Sequence, residues 1–143
     1  MLYFDTAYIA KCYLNEPGAQ QVRQFAYAST GLASCELARV EFHAVIHRHL
    51  REGNLTADEA RDVIADFESD ETNGVWQWLP VTSPLLNLVC DHIQSLPHNV
   101  FLRAADAIHL TCASNHGFQE IYSNDRHLLV AAQHFNLTGI NLI

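Results

Sequence analysis

The sequence predicts an α/β fold with a mainly parallel central β-sheet. Short apolar runs of strand length recur along the chain, among them "LYF", "GLAS", "VWQWLP", "EIY" and "LTGI". Longer stretches with helical spacing separate them. Strands alternating with helices pack most simply as a parallel sheet with helices laid across its faces. About four to five short strands and about seven helices are expected, in a single domain over residues 1–143. A chain of 143 residues, 49% of them hydrophobic, can bury one real core.

The elements follow in order. "MLYFD" is an apolar run ending at Asp5, a first strand buried on both faces. In "TAYIAKCYL", Ala7, Ala10, Lys11 and Leu14 share one helical side. "NEPG" breaks that helix, and Pro17 suits the first turn of a second one reaching about Tyr27. "GLAS" is a short strand. "CELARVEFHAVIHRHLREG" is a long helix stopped by Gly53, with Leu37, Val45 and Arg48 in one stripe with Glu41. Thr56 and Glu59 form a capping box that opens a fourth helix. The β-rich run at 75–80 is a strand, and Ser83-Pro84 opens a helix to about Leu96. "FLRAADAIHLTCAS" is a helix ending near Gly117, followed by the strand "EIYS". Ser123 or Asn124 can cap a helix over 125–134, and "LTGINLI" closes as a strand.

Bulk properties narrow the function classes. No run is long enough to span a membrane, and no basic stretch leads into an apolar one at the start, so a cytoplasmic protein is expected. Cys12, Cys35, Cys90 and Cys112 include no Cys-x-x-Cys pair and sit among apolar neighbours, which points to reduced core residues. Net charge is −8, an argument against nucleic-acid binding. Its distribution weakens that argument. Residues 58–71 hold seven acids and one base, leaving nine acids and seven bases elsewhere, or −2.

Four acids interrupt apolar settings: Asp5, Glu41, Asp106 and Asp125. Each has an ordinary explanation. Asp5 could cap the first helix. Glu41 could pair with Arg39, Arg48 or a neighbouring helix, and Asp106 with Arg103 one turn back. Asp125 could be a first-turn acid favoured by the helix dipole. In parallel sheets, however, ligands gather at the carboxyl ends of strands. Asp5 and Asp125 both follow strands directly, and Asp106 lies early in its helix. Carboxylates sharing a cleft need raised pKa values or a divalent cation. Oxygen ligands suit Mg²⁺ or Mn²⁺, and such an ion can activate water against a phosphodiester.

The segments "YFDTAYIAKCYLNEPG", "LARVEFHAVIHR", "LRAADAIHLTCA" and "SNDRHL" resemble, in order, the four signature blocks of the PIN-domain nucleases. The resemblance is greatest to the small VapC-type toxin ribonucleases of VapBC toxin–antitoxin pairs. It implies Asp5, Glu41, Asp106 and Asp125 as an acidic site for Mg²⁺, or Mn²⁺, supported by Thr6 and Ser123. It further implies endoribonuclease activity, a homodimer, and inhibition by a VapB-type antitoxin. The chain departs from a strongly basic RNA binder in having a single lysine. RNA or partner contacts then fall to Arg39, Arg48, Arg103 and Arg126.

Other features have plainer readings. His43 and His47 stand one turn apart, with His49 and His109 as further imidazoles, but a solvated or partner-facing stripe is the simpler account than Zn²⁺. Trp76 and Trp78 could stack on bases; packing explains them more simply. The acidic segment 58–71 could meet a basic antitoxin or form a solvated face. A catalytically silent PIN scaffold is the rival function, and a phosphatase or receiver is disfavoured because Ala7 and Lys11 do not supply the residues those need.

Overall fold

The computed structural model describes residues 1–143. Five strands appear: β1 (Leu2–Tyr3), β2 (Leu32–Cys35), β3 (Trp76–Leu79), β4 (Glu120–Tyr122) and β5 (Thr138–Ile140). Seven α-helices connect them: α1 (Thr6–Tyr13), α2 (Ala19–Tyr27), α3 (Leu37–Arg51), α4 (Ala57–Thr72), α5 (Ser83–Ser95), α6 (Ala104–Asn115) and α7 (Arg126–Ala131). The strands run parallel in two ladders, β3-β2-β1 and β4-β5. A parallel bridge from Phe4 to Tyr122 joins them into the order β3-β2-β1-β4-β5.

Alternation along the strands divides the core. Tyr3 packs with Cys35, Leu110, Ile121, Leu128 and Phe135 under α5, α6 and α7. Its neighbour Phe4 points the other way, joining Tyr8, Phe42, Phe67 and Trp76 under α1, α3 and α4. Helices therefore cover both faces, as the apolar, non-alternating strands require. Trp76 and Trp78 stack on each other with centroids 5.7 Å apart, and Trp76 Nε1 donates to Tyr13 Oη. They are packing residues rather than a platform for bases. No helix is long and apolar enough to cross a membrane.

The capping box forms as expected: Thr56 Oγ1 accepts from Glu59 N, and Glu59 Oε2 accepts from Thr56 N. Thr56→Ala is expected to cost about 1 kcal/mol, read as a lower urea midpoint at unchanged slope. Gly53 and Gly117 terminate α3 and α6 with positive φ, the left-handed conformation that glycine enters without a Cβ clash.

Several boundaries differ from expectation. Pro17 lies outside the first turn, because α2 starts at Ala19 behind Gly18 with φ +80°. Helix α6 starts at Ala104, so Phe101, Leu102 and Arg103 are not helical. Asp125 itself caps α7, not Ser123 or Asn124, since its side chain accepts two first-turn amides. The helix tightens to a 3₁₀ turn over Ala132–Phe135. Cys35 and Cys112 are buried, yet Cys12 is only half-buried and Cys90 is exposed on α5. Apolar sequence neighbours did not imply an inward direction, because a helix has an outer face.

Candidate functional site

The Phe4–Tyr122 bridge brings the carboxyl ends of β1 and β4 side by side. Asp5 N donates to Tyr122 O at 3.1 Å. The Asp5 side chain is buried, and both its oxygens are engaged. Oδ1 accepts from Tyr8 N at 2.9 Å, capping α1, and Oδ2 accepts from Ser123 Oγ. Ser123, fully buried, also accepts from Asp125 N at 2.8 Å. Asp125 Oδ1 takes His127 N and Leu128 N, and Oδ2 faces Arg103 Nη2 at 3.6 Å. The capping role thus holds for both aspartates, and each cap uses a single carboxylate oxygen.

Helix α3 carries Glu41 to the same edge. Thr6 Oγ1 donates to Glu41 Oε2 at 2.6 Å, and His109 Nε2 meets that same oxygen at 2.8 Å. Neither Arg39 nor Arg48 pairs with Glu41. Arg39 is tied instead to Glu71 on α4, at 2.6 Å. Arg48 sits seven residues along α3, about 10 Å from Glu41 at the helical rise.

Asp106 lies in the first turn of α6, three residues before His109. It is half-exposed rather than sealed in an apolar platform. Its Oδ2 is nonetheless buried and has no hydrogen-bond partner. Arg103, expected beside Asp106, makes its ion pair with Asp125. It precedes the helix, so it is not one helical turn back along a shared face.

The electrostatics show how crowded the carboxylates are. Burial raises the Asp5 pKa from 3.8 to about 6, against the opposing bond from Ser123. Burial, then the charge of Asp125, raises Asp106, with Glu41 adding to the effect and Arg103 and His109 opposing it. Burial alone would raise Glu41 as well, but bonds from His109 and Thr6 leave it lowered.

His109 is the residue that sequence reasoning passed over as one more imidazole. It is 2% exposed, and both ring nitrogens have partners. Its place three residues after Asp106, on the next turn of an apolar helix, was the available signal. His43 and His47 are exposed on α3, and His43 Nδ1 bonds the Arg39 carbonyl at 2.8 Å.

A divalent cation suits this donor set. The carboxylate oxygens favour Mg²⁺ or Mn²⁺, and the orphaned Asp106 Oδ2 lacks the partner that a buried oxygen requires. No three acidic, histidine or cysteine side chains converge to enclose an ion. Mg²⁺ tolerates that openness, because it keeps several waters and takes only one or two carboxylates. A hollow of about 690 Å³ lies elsewhere, among Tyr13, Arg23, Asp66, Asp70 and Trp76. Gly31 and Val75 line it, so it opens at the amino ends of β2 and β3, opposite the carboxylates.

The PIN domain family profile matches residues 2–133. The chain belongs to the PIN domain family. Its fold agrees with solved structures despite low identity. VapC20 of Mycobacterium tuberculosis, described as a Sarcin-Ricin loop cleaving toxin, superposes with TM-score 0.72 at 14% identity, over 92% of this chain and 95% of that one. A structure of FitAB bound to the IR36 DNA fragment gives 0.73 at 14% identity, over 99% and 94%. FitAcB from Neisseria gonorrhoeae gives 0.68 at 13% identity, over 99% and 97%. No curated protein sequence matches significantly. In this PIN domain, the acids of all four sequence blocks gather at one edge of the sheet.

Proposed function

We propose that this PIN domain is a metal-dependent endoribonuclease and the toxin of a type II toxin–antitoxin pair. The observation that carries the reading is Asp106 Oδ2: a buried oxygen without a partner, beside Asp125 and Glu41, whose charges raise the Asp106 pKa. Family membership supports a nuclease, and the likeness to VapC20 and to the Fit complexes supports a toxin with an antitoxin partner.

Asp106 and Glu41 would hold Mg²⁺ or Mn²⁺ through their unbonded oxygens, with Asp5 and Asp125 completing the negative field. A bound ion would polarise the phosphodiester and lower the pKa of an attacking water. Ser123 orients Asp5, and Thr6 orients Glu41. Arg103, exposed and next to Asp125, is the arginine best set to meet an RNA phosphate. Arg126 and Arg48 are exposed as well, while Arg39 is compromised by Glu71. Lys11 is buried against Glu16 and contributes nothing to RNA. The −6 segment on α4 offers a basic antitoxin a complementary face. A homodimer and a cytoplasmic setting complete the proposal.

The experiment is cleavage of total RNA by the purified protein in Mg²⁺ or Mn²⁺, with and without EDTA. Cleavage that EDTA abolishes is the expected result. Protein that cleaves no RNA in either ion, alone and freed of antitoxin, would sink the enzyme and favour a silent scaffold.

A further inference from the structure

We propose that His109 is a positioning residue: it grips one oxygen of Glu41 so that the other is presented to the cation. The inference rests on the metal-site reading above and goes beyond the four acids. Glu41 Oε2 receives both available bonds, from Thr6 Oγ1 at 2.6 Å and His109 Nε2 at 2.8 Å, and Oε1 receives none. An acid held through a single oxygen keeps its orientation while leaving two lone pairs for a ligand.

The imidazole is itself immobilised. Tyr3 Oη lies 3.2 Å from Nδ1 and accepts from Cys35 N at 3.2 Å. Cys35 Sγ flanks Nδ1 at 3.5 Å. Tyr3 is fully buried on β1 and Cys35 on β2, so the sheet aims the ring of α6 at a side chain of α3. An ionised Glu41 only accepts, so Nε2 must carry hydrogen. The neutral ring with hydrogen on Nε2 then accepts at Nδ1 from Tyr3 Oη, so both ring nitrogens have partners. A charged ring would donate to Glu41 equally well, so the grip does not depend on protonation.

Outer partners of metal ligands of this kind change metal affinity by about 10–100-fold when removed. Mn²⁺ affinity, followed by electron paramagnetic resonance on the purified protein, is the primary readout. His109→Leu removes the donor at similar bulk and should weaken Mn²⁺ binding at least about tenfold while circular dichroism stays unchanged. His109→Gln places an amide N–H near the Nε2 position and should restore binding to within about threefold. His109→Asn is too short to reach Glu41 and should not. Leu or Asn variants that bind like the parent overturn the assignment. If His109→Leu does not fold, the Gln and Asn pair decides. The unsubstituted protein gives a further check, since the His109 ring-nitrogen resonances should shift when Mg²⁺ is added. Unmoved resonances overturn the proposal. A parent protein that binds no Mn²⁺ overturns the metal site and this assignment together, whereas parent binding matched by His109→Leu overturns this assignment alone.

Discussion

Asp106→Asn is expected to abolish RNA cleavage without unfolding the protein. Removing one ligand charge forfeits part of the several kcal/mol that an ion supplies in the transition state, and about 3 kcal/mol is already a hundredfold in rate. A loss of at least about a hundredfold is therefore expected. Stability should move the other way. Burial and the charges of Asp125 and Glu41 raise the pKa of Asp106, so its ionised form is disfavoured in the fold. Asparagine relieves that repulsion and leaves no stabilising hydrogen bond to lose at Oδ2. The metal-free variant should melt at the same temperature as its parent or higher. Adding Mg²⁺ should raise the melting temperature of the parent more than that of the variant. Cleavage at the parental rate would remove Asp106 from the site, and a variant that simply unfolds would make it structural.

Asp5→Asn should abolish cleavage as well, and it should remove the share of the pH dependence of stability that Asp5 contributes. The carboxyl titrates at 3.8 in an unstructured chain and at about 6 in the fold. An acid with a raised folded pKa favours the fold fully below its unfolded value, and that contribution is lost as pH rises through the folded value. The shift corresponds to about 3 kcal/mol, lost between roughly pH 4 and pH 6 in metal-free protein. Asparagine cannot lose it. It still caps α1, being as good an N-cap as aspartate, but it sacrifices the acceptor for Ser123, about 1 kcal/mol. At pH 8 without divalent ions, the variant should exceed its parent by about 2 kcal/mol. Below pH 4 the order should invert. Urea titrations at the two pH values measure both signs. A parent–variant difference that is the same below pH 4 and at pH 8 would mean that Asp5 is not held as an unfavourable buried charge.

These expectations rest on features with different visibility in the sequence. The acids were conspicuous because a charge in an apolar run has few affordable explanations. The shared edge of Asp5 and Asp125 followed from parallel topology, since each trails a strand. Thr56 and Glu59 announced their box because both partners lie within one turn. By contrast, nothing near Arg103 marks Asp125 rather than Asp106 as its partner, and nothing near Arg39 reveals Glu71. Those choices depend on where helices start and which helices lie side by side.

The α/β class, the order of elements and the four candidate acids were legible along the chain, because periodicity, capping and charge contrast are properties of neighbouring residues. How the acids are held is a matter of the assembled fold. Two of them double as helix caps, Ser123 bridges Asp5 to the amide of Asp125, and Asp106 keeps an unpaired oxygen. His109 reaches Glu41 across 68 residues of chain, steadied by Tyr3 from 106 residues away. Side-chain partners at such separations are selected by packing, and packing is a property of the assembled sheet and helices rather than of any segment.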